Sequence, residues 1–88
     1  MHTELLNEIS ECFDQMKRLF TPERLIIFEH IARNRLHVYH FGLGTWVRNN
    51  LLSEETELHA LFINNSIECK DEMSAYIIEQ FWSSLQKM

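Results

Sequence analysis

The chain has 88 residues, 45% of them apolar and 11% aromatic, with two glycines, one proline and a formal net charge of −5. That makes one domain, residues 1–88, with a modest core, because a chain this short buries only about 60–65% of the surface its unfolded form exposes. The apolar content excludes a disordered chain. The acidic balance argues against a nucleic-acid binder, which needs a basic face to displace counterions from phosphates.

The apolar spacing is helical throughout, and glycine and proline are too scarce for a strand-rich domain. A first helix is expected over about 3–20, with Thr3 as its cap. Leu5, Ile9, Cys12, Phe13, Met16, Leu19 and Phe20 recur there at three- and four-residue steps. Thr21-Pro22-Glu23 is a strong start signal, since a threonine caps, proline fits the first helical position and a glutamate meets the positive end of the dipole. The second helix, about 22–33, carries the run Leu25-Ile26-Ile27-Phe28 and is expected to be central.

A third helical segment, about 35–50, contains His40-Phe41-Gly42-Leu43-Gly44-Thr45-Trp46-Val47-Arg48-Asn49-Asn50. A glycine in a helix interior costs about 1 kcal/mol against alanine. Gly42 and Gly44 therefore imply a bend or a close backbone approach. Trp46 is expected to fill the core, Arg48 to pair with an acid, and Asn49 and Asn50 to cap the helix end. Ser53, followed by Glu54, Glu55 and Glu57, starts a fourth helix that Asn64-Asn65-Ser66 ends, with Ile67 tucked into the core. Asp71 caps a last helix, about 72–86, with Met73, Tyr76, Ile77, Phe81, Trp82 and Leu85 on its apolar stripe. The expected fold is all-α, a compact single-domain bundle of about four to five short helices.

The first twenty residues hold four acids and no long apolar stretch, which argues against a signal peptide, and no run reaches the roughly 20 apolar residues of a membrane span. A cytoplasmic protein is expected, with Cys12 and Cys69 as free thiols. His37 and His40 can share a helix face, but there is no His-Glu-x-x-His pattern and both thiols are remote, so no metal and no cofactor are expected. Gly42-x-Gly44 lacks the third glycine and the Gly-Lys-Ser/Thr ending of a phosphate loop. No catalytic residue is assigned; if the chain were an enzyme, His40 and Arg48 would be its site.

The His40–Asn50 run, with Asp71-Glu72-Met73-Ser74 about twenty residues later, resembles a family of small bacterial helical domains of unknown function. Its signature is His-Phe-Gly-Leu-Gly-x-Trp-Ile/Val-Arg-Asn-Asn, followed by Asp-Asp/Glu-Met-Ser. The likeness spans about residues 25–86. Members often continue after the double asparagine with a Trp-Gly-rich stretch, where this chain has Leu51-Leu52-Ser53. The resemblance implies a fold and carries no activity; it marks His40, Gly42, Gly44, Trp46, Arg48 and Asn49 as motif residues.

Charge points to a partner. Residues 1–20 sum to −2, residues 21–50 to +2 and residues 51–88 to −5. Glu54, Glu55, Glu57, Glu68, Asp71 and Glu72 are the candidate binding residues, and a basic protein is the complementary partner. In general character the chain is similar to the immunity proteins of bacterial toxin systems, which bind and block a cognate toxin, often a basic nuclease. The expected function is therefore protein binding by an immunity-type inhibitor, with a homo-oligomeric structural or regulatory domain joined through Phe81 and Trp82 as the alternative. Neither nucleic acid nor membrane is an expected partner.

Overall fold

A computed structural model describes residues 2–86. The order is α1 (His2–Ser10), α2 (Phe13–Lys17), α3 (Pro22–His30), a 3-10 segment (Arg33–Tyr39), α4 (Leu43–Asn50), α5 (Glu57–Asn64) and α6 (Lys70–Leu85). The domain is all-α, with six α-helices among the described residues against the four to five expected.

The single helix expected over 3–20 is two. At Ser10 the side-chain hydroxyl donates to the Asn7 carbonyl at 2.8 Å, and the Cys12 amide reaches back three residues, to Ile9, instead of four. This tightened turn kinks the rod while keeping Cys12 in right-handed helical conformation, so the apolar phase survives the break. Thr3 lies inside α1 and does not cap it.

Thr21 caps α3 as expected: its Oγ1 accepts from the Arg24 amide at 3.1 Å, and Pro22 takes the first helical position. The far end of α3 is satisfied from across the fold. Trp82 Nε1 donates to the Ile31 carbonyl at 3.1 Å, and Gln86 Nε2 to the Glu29 carbonyl at 2.7 Å. Trp82 of α6 and Gln86 just beyond its end thus occupy carbonyls that a helix end leaves without partners.

The core lies on the buried faces of α6. Phe28 stacks on Phe81 at 5.4 Å and meets Tyr39 edge-on at 4.8 Å, while Phe20 and Phe13 close the cluster. Leu5, Ile9, Met16, Val47, Leu52, Phe62, Met73 and Ile77 are fully buried around it, and Leu43, Leu51, Leu58 and Ile78 nearly so. One expectation about this core fails. Ile26 and Ile27 are 56% and 65% exposed, so α3 is a peripheral helix that buries only the Phe28 side. Phe81 is fully buried and Trp82 half-buried with its indole N–H bonded; both pack on the core as their place on the apolar stripe implies, and Phe81 offers none of the exposed surface a homo-oligomer through it would use.

The later caps are displaced by two or three residues. Thr56, not Ser53, caps α5: its Oγ1 accepts from the His59 amide at 3.2 Å and sits 2.9 Å from the Ser53 carbonyl. Cys69 stands at the N-cap of α6 without a side-chain bond, which puts Asp71 in the first turn. Within the Asn64-Asn65-Ser66 stop, it is Ser66 that takes the left-handed conformation after α5, with φ 68°. The Ile67 amide then bonds the Phe62 carbonyl and the Ser66 amide the Ile63 carbonyl, both at 2.9 Å. This is the paired closure of a Schellman motif, with Ile67 packed on the core as expected.

Candidate functional site

The motif segment is not one helix. Its first part closes the 3-10 segment, and α4 begins only at Leu43, so residues 40–42 form a corner. From this corner α4 runs against α6, and the segment acquires a sealed side and an open side.

On the sealed side, Gly44 lies where α4 meets α6. A Cβ there would come within 3.1 Å of Arg48 Nη1, 3.5 Å of the Tyr39 carbonyl and 3.8 Å of Ile78 Cδ1. The close approach expected of the glycines is therefore made by Gly44. Arg48, only 19% exposed, lies over it. Nη1 donates to Ser74 Oγ at 3.2 Å, and Nη2 donates to Thr45 Oγ1 at 3.0 Å and to the His40 carbonyl at 3.4 Å. Fully buried Ser74 in turn donates a hydrogen bond from its hydroxyl to the Asp71 carbonyl at 3.0 Å. The acid expected for Arg48 is Asp71, whose Oδ1 lies 3.7 Å from Nη1; Asp71 is 64% exposed, so this pair is a weak, solvent-screened one. The two sequence runs, 40–50 and 71–74, thus meet through one guanidinium. Asn50 Nδ2 caps the helix end on the Trp46 carbonyl at 2.9 Å. Asn49 is exposed and does not share that role.

On the open side, a groove of about 680 Å³ is lined by Leu19, Phe20, Arg24, Ile27, Tyr39, Gly42, Leu43 and Trp46. Trp46 is a half-buried wall of this groove and packs on the core from its edge, rather than filling it. Gly42 also departs from expectation: a Cβ there would meet nothing within 4 Å. Nothing in the packing requires a glycine at this position. Beyond the corner, a second hollow of about 420 Å³ includes Arg33, His37, His40, Phe41, Ser74 and Glu79. Arg33 and Glu79 form an ion pair there, and the Phe41 ring is 84% exposed against the edge of His40. Among the described residues, no group of three His, Cys, Asp or Glu side chains could hold a metal ion.

All six acids singled out in the sequence are exposed: Glu54 and Glu55 in the loop before α5, Glu57 in its first turn, Glu68 before α6, and Asp71 and Glu72 in the first turn of α6. Sequence reading missed two companions. The Glu8 carboxyl is pushed above its ordinary value, first by partial burial and then by the charges of Glu11 and Glu57. Glu11 lies one turn from Glu8 along the chain, whereas Glu57 is brought near by the packing of α1 against α5, a pairing between distant helices that leaves no trace in a single sequence. The half-buried Cys12 thiol is raised as well, by burial and by Glu8 and Glu11. Both cysteines are free, and Cys69 is exposed.

The fold and this two-sided corner define a small all-helical domain, and no helix among the described residues is long and apolar enough to cross a membrane. The family model described as "Domain of unknown function (DUF6794)" matches residues 7–85, and the chain belongs to that family. No curated protein and no solved structure matches the chain.

Proposed function

We propose that this chain works by binding another protein. The observation that carries the reading is the open groove beside the corner, where bulky apolar side chains stand in solvent. Leu19 and Ile27 are exposed there beside the half-buried Phe20, Tyr39 and Trp46. A small domain with a limited core gains by burying such residues, and apolar and aromatic anchors set in a recess supply most of the energy of a protein interface.

The finer form of the proposal is an immunity-type inhibitor that caps a basic partner, such as a toxin domain. Its support is electrostatic: six exposed acids at the starts of α5 and α6, with Glu57 also near enough to Glu8 to help push its carboxyl upward. Such a face speeds encounter with a cationic protein and disfavours anionic ones. The test is association with a basic toxin domain encoded beside this chain, at about 50 and about 300 mM salt, across which screening shortens the reach of surface charge. The acidic form expects affinity to drop with salt and on Glu57→Lys with Glu72→Lys. Salt-independent binding that Ile27→Glu abolishes would leave protein binding standing and remove the acidic face from it.

A further inference from the structure

We infer that the groove between α3 and α4 receives a short amphipathic segment of a partner protein, one that offers two or three bulky apolar side chains and a carboxylate for Arg24. This inference rests on the protein-binding reading and gives it a surface and a partner chemistry.

Four observations converge. The groove is open rather than enclosed, and its volume of about 680 Å³ suits a few side chains from a helix laid along it. Among the described residues Arg24 is the only charged one in its wall, so the recess is apolar with a single positive point. A buried apolar contact ringed by one such charge selects a carboxylate and rejects an ammonium. Arg24 also stands in the first turn of α3, where a cation opposes the helix dipole, so its charge does not favour the helix. Finally, Gly42 lines the groove, and a side chain there would enter empty space. Its lack of a side chain does not serve packing, as it does at Gly44. It keeps the groove clear. A second copy of this chain is a poor occupant, since two molecules of charge −5 repel.

The experiment selects binders from two displayed libraries of helical peptides. Both carry apolar residues at i, i+3 or i+4, and i+7; one carries glutamate and the other lysine beside the apolar stripe. The inference expects binders from the glutamate library. Their affinity should fall at least about tenfold on Gly42→Trp, Ile27→Glu and Arg24→Glu, a loss of about 1.4 kcal/mol or more. Lysine in place of the peptide glutamate should restore binding to Arg24→Glu. Because Ile27 and Arg24 are exposed and Gly42 faces open space, circular dichroism should show all three variants folded; Ile27→Glu alone suffices if Gly42→Trp is not.

Binders indifferent to all three changes, enrichment only from the lysine library, loss of a homodimer on Gly42→Trp, or sodium dodecanoate filling the groove in place of a peptide would each overturn the inference. Peptides or a toxin domain seated on the acidic residues would overturn it and leave the protein-binding reading intact. No association through either surface would bring both down.

Discussion

The two sides of the His40–Asn50 segment are built from the same short run of residues and have opposite physical characters. On one side Gly44 admits α6, and Arg48 spends its donors on Ser74, Thr45 and the His40 carbonyl. On the other, Gly42 and Trp46 border an open, largely apolar groove. Two glycines two residues apart therefore serve different ends, one for the fold and one for access. A motif residue is not interpretable by its type alone; what its missing or present atoms would touch decides its role.

Breaking the sealed side should cost the most. Arg48→Ala strips three donors from a half-buried corner and leaves the His40 carbonyl without this partner, at about 2 kcal/mol in urea unfolding. Ser74→Ala removes one acceptor from Arg48 and one donor to the Asp71 carbonyl, and should cost about 1 kcal/mol in the same measurement. The open side should tolerate change: Ile27→Asn, at a position 65% exposed, should leave stability within about 0.5 kcal/mol of the parent. Asp71→Asn should be as mild, because the ion pair it breaks is long and wet, which would show that the corner is held by hydrogen bonds rather than by charge.

The smallest expected effect concerns the acids between α1 and α5. Glu8 has a folded pKa above its ordinary 4.5. The native state therefore binds more protons than the unfolded chain between those two values, and stability falls as pH rises through that window. Glu8→Gln should raise the melting temperature slightly at pH 7, and the gain should vanish below about pH 4, where both states carry the proton. A gain that persists at low pH would place its cause elsewhere than in charge.

Much of the helical architecture is legible in the sequence, because periodicity and the Thr21-Pro22 start signal are local. What escapes is decided by tertiary choice. Ser53 and Thr56 both suit a cap, and it is the Thr56 hydroxyl that reaches the Leu51 and Ser53 carbonyls as well as the His59 amide, contacts that residue type does not reveal. The kink at Ser10 keeps the apolar phase and so hides from a periodicity argument. Ile26 and Ile27 read as core because apolar type is visible and a missing neighbour is not. That a glycine of the pair makes a close approach and that Arg48 takes an acid is legible from residue type; that the glycine is Gly44 and the acid Asp71 is not. Gly42 and Trp46 needed coordinates, since whether a glycine faces packing or open space is a fact of three dimensions.

The most direct test of this division is a matched pair of thermal melts, Gly42→Leu and Gly44→Leu. At Gly44 the side chain must displace the Arg48 head, the Tyr39 carbonyl or Ile78. Overpacking of that kind costs about 2–3 kcal/mol, or roughly 10–20 °C in a domain of this size. At Gly42 nothing lies within 4 Å of the new Cβ, and the melting temperature should stay within about 5 °C of the parent, the span of a lost N-cap preference. Equal losses at the two positions would contradict the account, because both glycines would then serve the fold and the groove would owe nothing to either.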